Sequence, residues 1–209
     1  MSLPEPTTVL LVRHGMTPTT GKLLPGRAPG LRLSETGRAQ ADRVASGIAA
    51  LDPQPVAVYA SPLERARETA APIARALGVR VRTERGLVEL DIGDWTGTSL
   101  ARARRRHEWG AVQRWPSGFA FPGGESFAQL VARTTETVAR LVRMHPGQTI
   151  VAVSHADPIR ALVSTAAGIP LDLFQRLVVS TASVSAVQYA PDGPRVVCVN
   201  ASAEGLVRS

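Results

Sequence analysis

Residues 8–20, TVLLVRHGMTPTT, run from a short β-branched apolar stretch straight into a cation, an imidazole and a glycine. An apolar run that ends so abruptly fits a strand buried on both faces of a parallel sheet, with Arg13, His14 and Gly15 at its carboxyl end. Two more runs of this kind occur at residues 56–60 (VAVYA) and 149–153 (TIVAV). Helical stripes alternate with them. Residues 37–51 carry one through Ala41, Val44, Ala45, Ile48 and Leu51. A second follows at residues 63–77 through Leu63, Ala66, Ala70, Ile73, Ala74 and Leu77. A third runs over residues 127–142 through Phe127, Leu130, Val131, Val138, Leu141 and Val142. Ser126 and Gln129, after two glycines, have the spacing of a capping box and mark the start of the third helix. Strand and helix in turn predict an α/β fold, a three-layer α/β/α sandwich on a mainly parallel sheet. SVSAVQYA and RVVCVN flank the turn signal PDGP, which predicts an antiparallel C-terminal edge.

The 209 residues suffice for a single domain with one insertion. The least regular stretch, about 92–125, holds all three tryptophans and an arginine run, and is expected to form a cap or lid. The composition, 44% hydrophobic and 20% charged, is that of a globular protein. No apolar run approaches the roughly 18 residues of a membrane span. MSLPEPTTVLLV lacks a basic flank and reads as a first strand, not a signal peptide, so a cytoplasmic location is expected. Cys198 is the only cysteine, which excludes an internal disulfide and a cysteine-based zinc site. The net charge of +7 is built on arginine, Lys22 being the only lysine. Only 4% of residues are aromatic and no nucleic-acid-binding motif is present, so nucleic acid is not an expected partner.

Ligands of parallel α/β sheets bind beyond the carboxyl ends of the strands. There the first run is followed by Arg13, His14 and Gly15, the second by Ser61, Pro62 and Arg65, and the later one by His155, Asp157 and Pro158. Ser61 and Asp157, each before a proline, read as N-cap and first-turn residues, which turns helix N-termini toward the same edge. Amide donors, two arginine forks and two histidines point to a phosphoryl group. His107 and His145 read as surface or hydrogen-bonded residues, and Glu89, taken alone, as a loop carboxylate.

Four segments in order, RHG, SPLERARETA, ELDIGDWTG and SHADP, together resemble the histidine phosphatase superfamily, which includes the cofactor-dependent phosphoglycerate mutases. TTGKLLPGRAPG and DPIRA are similar to a group of actinobacterial-type phosphatases and phosphomutases within it. The resemblance implies a phosphohistidine on His14, a phosphate pocket of Arg13, Arg65 and His155, Glu89 as proton donor, and no metal or cofactor. It carries over Thr17 as a substrate-binding residue and brings Thr20 and Ala156 to positions where many relatives have asparagine and glycine. Met16 stands where many relatives have glutamate. The chemistry fits: an imidazole can attack phosphorus, arginines can neutralise the equatorial oxygens, and Glu89, with Asp91 and Asp94 as substitutes, can protonate the leaving alkoxide. Gly15 would let backbone and substrate approach closely.

The expected activity is therefore hydrolysis of phosphomonoesters, with a small phosphorylated metabolite as partner, no membrane, and a homodimer allowed. A phosphoglycerate-type mutase is the alternative, and a non-catalytic phosphate-binding protein a more distant one. Against the longer phosphoglycerate mutases that the chain resembles, little is left at SAEGLVRS for a closing tail, so hydrolysis is the expectation. The arginines at 102, 104, 105 and 106 cannot all face one pocket; a solvated helix face is the expected reading, a grip on a second anion the alternative.

Overall fold

The run at residues 8–12 forms β1 (Thr7–Arg13), which lies inside a six-stranded sheet of order β3-β2-β4-β1-β5-β6. The partners are β2 (Ala57–Ala60), β3 (Val81–Thr83), β4 (Thr149–Ser154), β5 (Val184–Ala190) and β6 (Gly193–Ala201). The computed structural model describes residues 5–202 and Gly205, so most of the SAEGLVRS tail lies outside the described residues. β1 through β4 are mutually parallel, while β5 runs antiparallel to β1 and β6 antiparallel to β5. The C-terminal hairpin thus makes the expected antiparallel edge. In the central pair the register runs from Thr8 opposite Thr149 to Arg13 opposite Ser154, so His14 and His155 leave adjacent strands at one level.

Side chains alternate across the sheet, and each set meets its own helices. Leu10, Val12, Val58, Val151 and Val153 face α1 (Glu35–Ala49) and α2 (Glu64–Ala76), packing on Val44, Ile48, Ala70 and Ile73. Val9, Leu11, Tyr59, Ile150 and Ala152 form the opposite core with Val138, Leu141, Ile159 and Leu162. Those come from α5 (Phe127–Met144) and α6 (Ala156–Ala166), numbered after the two short helices below. The layers are those of the expected sandwich. α5 opens with the capping box, Ser126 accepting from the Gln129 N–H and the Gln129 side chain accepting from Ser126 N–H.

Between residues 92 and 125 the chain forms α3 (Leu100–Ala103), α4 (Trp109–Arg114) and short 3-10 turns, and adds no strand to the sheet. It packs on a third apolar cluster that includes Leu90, Trp95, Val112, Phe121, Phe127 and Phe174. Trp95 and Trp109 stack at 6.5 Å between ring centroids, and an isolated bridge joins Ser99 to Leu23. Arg102, Arg104 and Arg105 are exposed, as a solvated run should be, whereas Arg106 is not solvated in the same way. Its guanidinium lies over Trp95 at 4.8 Å, because the ring face offers a cation a better partner than open water does. No helix among the described residues is long and apolar enough to cross a membrane.

Candidate active site

β1 and β4 deliver two imidazoles whose ring centroids are 5.1 Å apart. His14 is buried, with Nδ1 2.7 Å from the Gly15 carbonyl. A carbonyl only accepts, so Nδ1 carries the proton and Nε2 the lone pair. Burial, then the charge of Arg65, lowers the His14 pKa to about 3, with Arg13 adding to the effect and the Gly15 carbonyl opposing it. His14 is therefore a neutral base with its free nitrogen on the far side of the ring from Gly15. His155 is fully buried and also held well below its ordinary value, by burial first and then by His14 and the two arginines. Its Nε2 is 2.8 Å from Ser61 Oγ, and its Nδ1 is buried with no protein partner. A Ser61 hydroxyl that donates to Nε2 leaves the ring proton on Nδ1.

The arginines are anchored at one end and unengaged at the other. Arg13 Nη1 donates to the Val179 carbonyl at 2.6 Å while its Nε is buried without a partner. Arg65 is 0% exposed; Nη2 donates to the Gly26 carbonyl at 2.8 Å, and Nε and Nη1 have no partner. Burial lowers both pKa values, an effect that Glu89 opposes. Arg13, His14, Thr17, Thr20, Arg65, Glu89 and Ala156 share the lining of one cavity of about 340 Å³; His155, whose ring lies 5.1 Å from that of His14, is not part of that lining. Glu89 Oε1 accepts from Leu90 N–H at 2.9 Å. Burial, then the Asp157 charge, pushes the Glu89 pKa up to about 7 against the pull of Arg65 and Arg13. Asp91 and Asp94 do not line the cavity. Among the described residues no group of three or more His, Cys, Asp or Glu could hold a metal ion.

Several residues occupy roles other than those their sequence context suggests. Ser61 is not the N-cap of α2; Leu63 is, without a side-chain bond, and the Ser61 hydroxyl, 2.8 Å from His155 Nε2, also accepts from Leu63 N–H at 3.4 Å. At the start of α6 the N-cap is His155 itself, and Asp157 in the first turn pairs with Arg160 at 2.9 Å. Gly15 makes room for α1: a Cβ there would stand 2.4 Å from the Gly37 carbonyl oxygen. The close approach is backbone to backbone. Thr20 Oγ1 accepts from Thr17 N–H at 2.9 Å and lies 3.0 Å from Thr17 Oγ1, so it also shapes its own loop. His145 is buried and bonded, its Nε2 2.9 Å from the Tyr59 hydroxyl, while His107 is exposed.

Sequence reasoning missed the frame that fixes Glu89. Arg27 Nε donates to the Glu89 carbonyl at 2.8 Å, and its Nη1 and Nη2 reach Asp91 and Glu125. Arg133 on α5 donates to the carbonyls of Gly86 and Val88 and holds Glu125 through two bonds. Arg27 stands within the quoted segment TTGKLLPGRAPG, so its presence was visible but its partners, 60 to 100 residues away, were not. Arg160 and Gln175 also line the cavity; Arg160 stands within the quoted segment DPIRA, whereas Gln175 carried no signal that set it apart.

Residues 9–202 match the family model of the histidine phosphatase superfamily (branch 1). A bifunctional protein of Mycobacterium tuberculosis is 36% identical over 192 residues, 90% of this chain; the chain spans about half, 52%, of that relative's length. Phosphoserine phosphatase 1 of Hydrogenobacter thermophilus is 32% identical over 187 residues, covering 86% of this chain and 85% of its own. The native structure of mycobacterial glucosyl-3-phosphoglycerate phosphatase superposes with a TM-score of 0.83 at 28% identity, over 93% of this chain and 99% of that one. The chain belongs to the histidine phosphatase superfamily (branch 1).

Proposed function

We propose that the protein is a metal-independent phosphomonoester hydrolase that works through a phosphohistidine on His14, in the cytoplasm, on small phosphorylated metabolites. The observation that carries this reading is the His14 imidazole, its Nδ1 turned to the Gly15 carbonyl, set among buried guanidinium donors with no protein partner, Arg13 Nε and Arg65 Nε and Nη1. Such donors are costly to bury unless an anion receives them. His14 Nε2 attacks phosphorus, forming the P–N bond as the P–O bond to the alcohol breaks. Glu89, its pKa raised to about 7, gives its proton from the protonated form to the departing alkoxide. The Glu89 carboxylate then takes a proton from water, whose oxygen attacks phosphorus. The P–N bond breaks, phosphate leaves, and Glu89 is again protonated. Arg13 and Arg65 supply the positive charge that a metal gives other phosphatases. We read the whole chain as one α/β unit and residues 92–125 as a cap, because Trp95, Leu100, Trp109 and Phe121 line the cavity above the phosphate end.

Rapid quenching with a ³²P-labelled phosphomonoester tests the mechanism. The expected product is an acid-labile, base-stable phosphoenzyme, formed in the presence of EDTA and absent from His14→Ala. Label retained by that variant, or a strict need for added magnesium or zinc, overturns the assignment.

A further inference from the structure

Apart from the residues read as the phosphate pocket, much of the cavity wall is apolar. Leu23 and Leu24 enter from the loop after β1, and Leu100, Trp109, Val112 and Phe121 from the 92–125 segment. Gln113, Gln175 and Thr19 are the neutral polar residues of that outer part.

Charge is distributed just as unevenly. The cations that line the cavity are Arg13, Arg65 and Arg160, and the carboxylates are Glu89 and Asp157. The first two arginines belong to the phosphoryl group in the function proposed above. Arg160 is already engaged: Nη1 lies 2.9 Å from Asp157 Oδ1 and Nε donates to the Leu177 carbonyl at 2.9 Å. A second phosphate or carboxylate on the substrate would meet the Asp157 carboxylate, whose charge cancels that of its partner Arg160, so no net positive charge is left to offset it. The arginine run does not fill the gap, since Arg102, Arg104 and Arg105 lie exposed outside the lining and Arg106 is stacked on Trp95.

Resting on the phosphatase reading, we propose that the substrate class is a monophosphate ester of an apolar alcohol, ring-sized and carrying no second anionic group. The phosphate end fixes the ester, and the Leu23, Leu100, Trp109 and Val112 wall takes the alcohol. Gln113 and Gln175 are placed to orient one hydroxyl or amide on it. An apolar wall favours the fitting group by removing its surface from water, and rejects a carboxylate because the carboxylate must shed its hydration without a partner. The same wall disfavours a bisphosphorylated intermediate, and with it the mutase.

Two phosphonates with one head group separate the wall from the chemistry, because the P–C bond cannot be transferred. Calorimetric titration with 2-phenylethylphosphonate and with 2-carboxyethylphosphonate is expected to give a dissociation constant at least tenfold lower for the phenyl compound. Val112→Arg, which sets a cation in the wall, is expected to reverse that ratio. Equal or inverted affinities in the wild-type protein overturn the proposal, as does a ratio unmoved by Val112→Arg. The parallel phosphate-release assay compares 2-phenylethyl phosphate with 3-phosphoglycerate, both esters of primary alcohols. Failure to hydrolyse either, with the phosphonate ratio intact, sinks the phosphatase reading and leaves the wall standing. Faster hydrolysis of 3-phosphoglycerate sinks the wall alone.

Discussion

At the scale of single residues the site works by setting protonation states apart. His14 is held neutral by burial and two guanidinium groups, and burial and Asp157 raise the Glu89 pKa to about 7, so that a large share of it is protonated near neutrality. The first is thereby a base and the second an acid at the same pH. Glu89→Gln should lower kcat/KM for alkyl phosphates by about 10²-fold or more, the usual worth of a general acid. p-Nitrophenyl phosphate, whose phenolate departs without a proton, should lose far less. The wild-type kcat/KM for alkyl phosphates should fall as pH rises through about 7, because the proton that Glu89 donates is lost there. Glu89→Gln should lack that descending limb. Equal losses on both substrates, or a limb that persists in the variant, would assign Glu89 to positioning. The sequence made His14, His155 and both arginines legible because each follows a strand or opens a helix at a fixed offset. It could not show that the Ser61 hydroxyl would reach His155, since that contact depends on β2 and β4 being neighbours.

At the scale of elements, local signals that need no partner were read well. The capping box of α5 is present because Ser126 and Gln129 satisfy each other's backbone donors within one turn. Ser126→Ala should destabilise the fold by about 1 kcal/mol, measured by urea unfolding, as cap removal generally does. The loss should leave the His14 and Glu89 chemistry unchanged in pH dependence. Elements fixed by distant contacts were read less well. The Glu89 loop has no regular structure after the 3-10 turn Arg85–Leu87, and is held by Arg27 and by Arg133 from α5. Arg106 left the solvated face because Trp95 lay beneath it, a contact across ten residues of irregular chain. The three buried strands with their helices, by contrast, follow from periodicity, and the C-terminal hairpin from periodicity together with the turn signal PDGP, whereas the three-residue β3 carried no such signal.

At the scale of the whole molecule, the buried titratable groups make stability depend on pH with a definite sign. His14 folds with a pKa of about 3, below the ordinary 6.5, and His155 is shifted the same way. The unfolded chain binds more protons across that window, so these two groups make stability fall as pH drops from 6.5 toward 3. Glu89 acts oppositely between its ordinary 4.5 and about 7, where its raised folded pKa costs stability as pH rises. Below 4.5 the Glu89 contribution is constant and the imidazoles act without it. The melting temperature should therefore drop more steeply from pH 4.5 to 3 in the wild-type protein than in His14→Asn, and parallel slopes would contradict this. The separation of the two histidines has a different guarantor. They leave β1 and β4 at paired positions, Arg13 opposite Ser154, and strands in a sheet lie about 4.8 Å apart. The interstrand spacing is thus a ruler: loops can lengthen or shrink around the site without altering the gap between nucleophile and partner. Only a slip of register could change it, and that would turn every core side chain of a strand to the wrong face.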